Sequence, residues 1–402
     1  MFSKRVPSHL TPNRLADALA ERRARGDRVI DLTASNPTRA GFAYPADMLA
    51  PLADPESLRY DPQPLGAMDA RVAVAQEYRQ QGLTVSPEHI VLAASTSDAY
   101  SVLFKLLADP GDQVLVPRPS YPLFEHLTRL DAIEPKPYDL EYHGSWSVDL
   151  SSVERALGPF DSAQGRSRVR ALLVVSPNNP TGSVITRDEL ERLAATCAAH
   201  DVAIIADEVF IDYELEPGAC ATAGRVIARD EVLSFTLGGL SKSVGLPQVK
   251  LGWIAVGGPA PLVTAAIGRL ELICDTYLAV STPVQHAAPH VLKAGAVVRR
   301  QIAERVRHNY ESLQASVSAV PSCRVLRADA GWYAVMQVPA LESEDDLVVH
   351  LLADDGVLVH PGYFFDFPRE CFVVVSLLPP PADFAEGVDC ILRHFACSSA
   401  TP

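Results

Sequence analysis

Positive charge is in short supply in this chain. Its 402 residues carry 35 Lys and Arg against 49 Asp and Glu, a formal net charge of −14. An acidic surface repels the phosphates of nucleic acids and of anionic lipids, so neither is expected as a main partner. Paired cysteines are also missing. The seven, at 197, 220, 274, 323, 371, 390 and 397, are odd in number and form no Cys-x-x-Cys pair. That argues against a disulfide framework or a zinc site and suits scattered small core residues of a cytoplasmic protein. No apolar run approaches the length of a membrane span. Residues 1–25 are basic but hold no apolar stretch long enough for a signal peptide. No internal repeat stands out. A cytoplasmic location is the expectation.

What is present is an ordinary globular composition, with 48% apolar and 21% charged residues. At about 150 residues per domain the length allows two to three domains. Strand-like segments fall at 90–94, 113–116, 171–175, 202–206, 232–237 and 251–256. Several are unbroken apolar runs, such as Leu172 to Val175, which fits strands buried on both faces of a parallel sheet. Helical patterns lie between them. One spans 67–81 and stops at Gly82. Another follows Thr186, with Glu189 completing a capping box. The signature is α/β. Beyond residue 259 the pattern changes. Helices are expected over 262–278 and 295–320, then strands and a helix at 332–338, 344–354, 357–360 and 372–377, and a last helix over 383–395. This predicts a smaller α+β domain. Residues 158–168 read as a surface loop and 398–402 as a frayed tail.

Three groups of residues carry chemistry. Ser176-Pro177-Asn178-Asn179-Pro180-Thr181-Gly182 follows the strand at 171–175. Asp207-Glu208 follows the strand at 202–206. Ser241-Lys242-Ser243 follows the strand at 232–237. Ligand crevices open at the carboxyl edge of such sheets. Each group alone is unremarkable: a turn, a strand-end acid, a loop lysine. Together they place an amide, an acid and an amine at one edge. A conjugated pyridine cofactor needs such partners: an acid for its ring nitrogen, an amide for its ring hydroxyl, and a lysine for imine formation and proton transfer. Ser95, Thr96 and Ser97 open the helix after the strand at 90–94, and a helix N-terminus suits a phosphate.

With these motifs the chain resembles the class I/II aminotransferase family, the fold type I enzymes that use pyridoxal 5'-phosphate. The likeness runs from Asp31-Leu32-Thr33-Ala34-Ser35-Asn36-Pro37 through Tyr60 and Gly66, Ser95 to Ala99 and Leu106 to Tyr121, then through the three groups above in the family's order. It implies a large domain with a mostly parallel sheet between helices (46–280), a small C-terminal domain (281–402), and an N-terminal arm partly belonging to the small domain (1–45). It implies that Lys242 is the Schiff-base lysine and general base. Asp207 pairs with the ring nitrogen, Asn179 bonds the ring oxygen, and Tyr121 stacks on the ring. Ser95, Thr96, Ser97, Ser241 and Lys250 hold the phosphate. Tyr60 reaches the phosphate of a neighbouring subunit in a homodimer with shared active sites. Ser35 and Asn179 face the substrate.

The chain departs from the family at four places. Lys250 replaces an arginine on the phosphate, keeping charge but losing the bidentate fork. Phe210 replaces a tyrosine on the ring oxygen, a loss expected to raise the imine pKa unless Tyr213 or another group substitutes. Gly239 replaces a phosphate-binding serine. On or beside Val374, where the family grips the substrate carboxylate with arginine, there is none. Arg39 is the best placed substitute and Arg369 a weaker one, since a carboxylate clamp calls for arginine. The segment His360 to Phe365 resembles the family's loop near the substrate. The expected function is transamination between an amino acid and a 2-oxo acid by ping-pong chemistry. The alternative is a C–S lyase, decarboxylase or racemase with the same cofactor. A ligand-sensing relative with a fused DNA-binding domain is disfavoured, because the family match begins by residue 31 and Lys242, Asp207 and Asn179 are retained.

Overall fold

The computed structural model describes residues 2–7, 13–158, 169–369 and 371–398. The loop expected over 158–168 and the tail over 398–402 fall, but for their first residues, outside that range. Helix α1 (Arg14–Ala24) and strand β1 (Ile30–Asp31) lead into an alternation of elements. Helix α2 (Met68–Gln80) precedes β2 (Ile90–Ala93), and α3 (Thr96–Leu107) precedes β3 (Gln113–Arg118). After α4 (Leu123–Leu130) come the paired strands β4 (Glu134–Tyr142) and β5 (Trp146–Val148), then α5 (Leu150–Leu157) and β6 (Val169–Val175). Helix α6 (Arg187–Ala199) joins β6 to β7 (Ala203–Asp207). Strand β8 (Ser234–Gly239) runs into the four-residue helix α7 (Leu240–Ser243), and β9 (Gly252–Gly257) follows.

These eight strands form one sheet, ordered β2-β9-β8-β7-β6-β3-β4-β5. The five from β4 to β8 are parallel, whereas β9 runs antiparallel to β8 and β2. All six expected strands are present. Their unbroken apolar runs have a direct cause. Leu173 and Ile205 enter an apolar layer with Tyr100, Phe235 and Leu270, while Leu172, Val174 and Ile204 enter the layer on the other face with Leu190 and Leu193. Both faces are covered, so both parities are apolar. The expected capping box at Thr186 and Glu189 opens α6. Strand β4 was not legible. It carries Pro135 and Pro137, which donate no ladder hydrogen bond and are tolerated near a sheet edge.

Helices α8 (Ala260–Tyr277) and α9 (Thr282–Ser318) lead to the second unit. Helix α9 begins at Thr282, well before the expected 295. Pro283 sits in its first turn, where no N–H is needed. Pro289 forfeits one backbone bond, offset by burial of Ala287, Ala288, Val291 and Leu292. Strands β10 (Arg324–Val325) and β11 (Tyr333–Gln337), helix α10 (Glu344–Ala353), strands β12 (Val357–Leu358), β13 (His360–Pro361) and β14 (Phe372–Ser376), and helix α11 (Pro381–Ser398) complete the chain. The strand expected at 357–360 is thus two short strands. The second sheet is antiparallel, ordered β10-β11-β14-β13, and β1 pairs in parallel with β12. Ser376 fastens the N-terminal segment further: its N–H donates to Leu32 O and its hydroxyl to Ala34 O, both at 2.6 Å. Among the described residues no helix is long and apolar enough to cross a membrane.

Candidate active site

Asp207 is the last residue of β7, and its parity turns it toward α3. The Tyr100 hydroxyl donates to Oδ2 at 3.1 Å, and the Val209 N–H donates to Oδ1 at 3.2 Å. Burial pushes this carboxyl up to about 6, against the pull of those donors and of Lys242. Lys242 lies on α7, delivered by β8, the strand beside β7. Its Nζ is 4.9 Å from the centre of the Trp332 ring and 5.5 Å from that of Phe210, and those two rings meet edge to face at 5.4 Å. Burial lowers the ammonium to about 8, and Asp207 is the charge that opposes the shift. An amine so placed is uncharged in a sizeable fraction of molecules near neutrality, as a nucleophile or base requires.

Asn179 lies in the turn after β6, beside β7 in the sheet. The turn is tied down by Ser176 N–H to Asp207 O at 2.9 Å and Asn178 Nδ2 to Pro119 O at 2.9 Å. Gly182 closes it at φ +68°. A Cβ there would lie 2.5 Å from Ala328 Cβ and 2.7 Å from Ala330 O, so only glycine lets the two units approach this closely. The Asn179 Oδ1 is buried without a hydrogen-bond partner. A buried amide end left unpaired is costly, and a ring oxygen or a substrate group would satisfy it, in either orientation of the amide.

Ser95 caps α3, accepting from the Asp98 N–H at 3.0 Å. Thr96 and Ser97 follow in its first turn, where backbone N–H groups lack intrahelical acceptors. Ser241 is half-buried on α7. Lys250 is exposed just before β9, at φ +60°. Tyr121 follows Ser120, whose N–H donates to Phe365 O at 3.0 Å, which sets it where the two units meet. The small-unit residue Tyr333 lies near both Tyr121 and the Ser35 side chain. Of the segment from His360 to Phe365, Phe365 is core, whereas Tyr363 and Phe364 are each 41% exposed. Tyr60 is not brought to Lys242: it is 78% exposed and lines a separate cavity with Tyr277 and Gln285. Arg39 is exposed, and its guanidinium meets no acceptor among the described residues. Val374 is buried between Val335 and His360 on the second sheet, with no cation beside it in the register. Tyr213 does not stand in for the missing ring-oxygen donor, because its hydroxyl bonds the main-chain carbonyl of Lys242. Among the described residues no His, Cys, Asp and Glu cluster could hold a metal.

Sequence reasoning missed Tyr100, Trp332 and Tyr333. Trp332 and Tyr333 sit at the start of the expected strand at 332–338, and their hydrophobicity is indistinguishable from that of core residues. Nothing local marks Tyr100, since only the fold brings α3 under the end of β7.

A family model for class I and II aminotransferases matches residues 28–378. An alanine aminotransferase of Mycobacterium tuberculosis is 26% identical over 376 residues, covering 91% of this chain and 85% of that protein. Glutamate-pyruvate aminotransferase AlaA of Escherichia coli is 25% identical over 366 residues, 88% of this chain and 87% of that one. The solved alanine aminotransferase from Pyrococcus furiosus superposes with a TM-score of 0.84 at 22% identity, over 98% of this chain and all of that one (100%). The fold is that of the fold type I transferases. The chain belongs to the class I and II aminotransferase family, and it is an aminotransferase.

Proposed function

We propose that this aminotransferase works with pyridoxal 5'-phosphate held by Lys242, moving an amino group from an α-amino acid to a 2-oxo acid. One observation carries the reading. A desolvated amine, a carboxyl shifted to about 6 and an amide with an unpaired buried end lie at the carboxyl ends of three adjacent strands, β8, β7 and β6. When bound, the cofactor supplies an aldehyde for amines and a protonated ring that withdraws electrons from the donor. Lys242 Nζ would hold that aldehyde as an imine, with loss of water, and as a free amine it would take the proton from the donor Cα. Asp207 would accept the ring N–H, and Asn179 would bond the ring oxygen. Tyr121 would cover one face of the ring and exclude water from it. Ser95, Thr96, Ser97 and Ser241 hold the phosphate at the start of α3, with Lys250 adding a point charge. Ser35 and Arg39, together with Asn179, orient the substrate carboxylate.

Two relatives are named for alanine and for glutamate and pyruvate, so alanine and glutamate are the first donors to try. A second copy of the chain is proposed to cover the face that carries Leu58, Tyr60, Tyr277 and Leu278. These are 92%, 78%, 60% and 36% exposed, and large apolar groups gathered on one face mark an interface. In the dimer Tyr60 would reach the partner's phosphate. The free cysteines fit a reducing cytoplasm.

The test loads the purified chain with pyridoxal phosphate, reduces it with borohydride and maps the labelled peptide. Label on Lys242, and parallel-line kinetics with alanine or glutamate and an oxo acid, are expected. A label on another lysine overturns the assignment. So does elimination or decarboxylation without formation of pyridoxamine phosphate.

A further inference from the structure

We propose that Tyr213 and Arg299 are positioning residues that fix the Lys242 turn from its buried side, by donating to two successive main-chain carbonyls. The turn needs outside help. Helix α7 has four residues, too few to pair its own last carbonyls, and it ends before Gly245, at φ +68°, whose carbonyl is held by the Tyr44 hydroxyl at 2.8 Å. The Tyr213 hydroxyl donates to Lys242 O. Arg299 Nε donates to Ser243 O at 2.8 Å. Ser243 Oγ reaches back to Gly239 O at 3.0 Å. The carbonyl of the reactive lysine and that of its neighbour are therefore both held by side chains from other elements.

Neither donor is itself loose. Arg299, on α9, is bracketed by Glu77 of α2 at 2.5 Å and Asp212 at 3.4 Å. All three side chains are less than a fifth exposed, at 18%, 12% and 15%. Asp212 also accepts from Gln81 at 3.2 Å, and Gln81 accepts from Arg225, which pairs with Glu208 at 2.7 Å. A line of ion pairs, bridged by the neutral amide of Gln81, thus runs from the neighbour of Asp207 to the neighbour of Lys242. Tyr213 comes from the same stretch as Asp207 and Phe210. One segment therefore sets the acid, the ring against the amine, and the anchor under the lysine. Displacing a reacting group by about 1 Å costs about a hundredfold in rate, which is what such anchoring guards against. Freed from it, the amine gains access to water and leaves the two rings.

This inference rests on Lys242 being the reactive amine. The test begins without cofactor. The full chain is stripped of pyridoxal phosphate and methylated with formaldehyde and cyanoborohydride across a pH series, and the Lys242 peptide is quantified by mass spectrometry. Wild type is expected to show an inflection at about 8. Tyr213→Phe removes one O–H and no charge. Its inflection is expected to rise by about one pH unit. In the loaded enzyme kcat is expected to fall about tenfold with KM within about twofold. Arg299→Gln strips the partner from two buried carboxylates and risks misfolding, so Arg299→Lys is used instead. It keeps the charge but loses the fork that joins Ser243 O to Glu77. Its inflection is expected to rise in part, and a wild-type inflection and kcat in it would remove Arg299 from the proposal. A Tyr213→Phe chain with wild-type circular dichroism, wild-type inflection and wild-type kcat overturns the inference. Failure of the functional reading looks different: a borohydride label away from Lys242 in the wild-type protein.

Discussion

Tyr100 donates its hydroxyl hydrogen to Asp207 across 3.1 Å, joining the second turn of α3 to the end of β7. The N-terminus of that helix is the proposed phosphate site. One side chain therefore sets the spacing between the phosphate's partner and the ring nitrogen's partner. Burial, and the neighbouring Asp207 charge, hold the phenol well above its ordinary pKa, so it donates at any working pH.

Tyr100→Phe tests that relationship. A hydrogen bond to the charged form of an acid favours that form, so its removal raises the Asp207 pKa beyond about 6. The phenyl ring still packs on Phe104 and Phe124, and the fold is expected to survive. A hydrogen bond to a charged group contributes about 1.5–3 kcal/mol, so the Kd for pyridoxal phosphate is expected to weaken about tenfold or more. An unchanged Kd in a fluorescence titration would reject the role given to Tyr100.

Asp207 also makes a stability prediction whose sign is fixed. Its folded-state pKa, about 6, lies above the ordinary 3.8. The folded apoprotein holds this proton more tightly than the unfolded chain. The group's stabilising contribution is therefore complete below 3.8 and is lost as pH rises through about 6. Asp207→Asn carries no charge at any pH. At neutral pH its apoprotein is expected to be more stable than wild type by up to about 3 kcal/mol, at 1.36 kcal/mol per pKa unit, a figure already net of the attraction from Lys242. The difference should disappear in acid, while transaminase activity falls by about a hundredfold or more. Thermal melts of both apoproteins across pH decide it, and a neutral-pH Tm for Asp207→Asn at or below wild type counts against the burial argument.

Trp332→Leu separates covering from catalysis. The ring is fully buried and 4.9 Å from the Lys242 amine. Trimming it costs about 3 kcal/mol of stability and lets water reach the ammonium, whose pKa then climbs from about 8 toward 10.5. The base form of Lys242 is the active one, so the rising limb of the pH–rate profile is expected to move to higher pH. A limb that stays in place would mean that the ring does not set the amine's solvation.

The legible parts were those written locally. Leu172 to Val175 and the run ending at Ala206 announce doubly covered strands, and Asn179, Asp207 and Lys242 follow strands β6, β7 and β8 within a few residues. The illegible parts depend on contacts distant in sequence. Tyr213 and Arg299 serve main-chain carbonyls, and a carbonyl has no residue identity to betray its partner. Trp332 reaches the amine only because Gly182 lets the second unit close on the β6 turn. Strand β4 was hidden by Pro135 and Pro137, and the start of α9 by Pro283 and Pro289, since each proline argues locally against the element that packing imposes.

Substrate recognition turns on a vacancy of charge. At Val374, where the family resemblance calls for arginine, the side chain is buried among strands β11, β13 and β14. His360 lies directly opposite, but burial drops its imidazolium to about 4 despite the nearby Asp31, so it brings no charge at neutral pH. Arg39 has an exposed guanidinium without an acceptor among the described residues, four positions beyond Ser35, which lies against Tyr333. If it holds the donor carboxylate, Arg39→Ala loses a charge-assisted contact of about 1.5–3 kcal/mol. The expected result is a KM for the amino donor raised about tenfold to a hundredfold with kcat within a few-fold. Arg39→Lys should recover part of the loss, since the charge returns without the fork. An amine donor lacking the carboxylate should react equally with all three proteins. Equal donor affinity in wild type and Arg39→Ala would move the carboxylate contact to some other group.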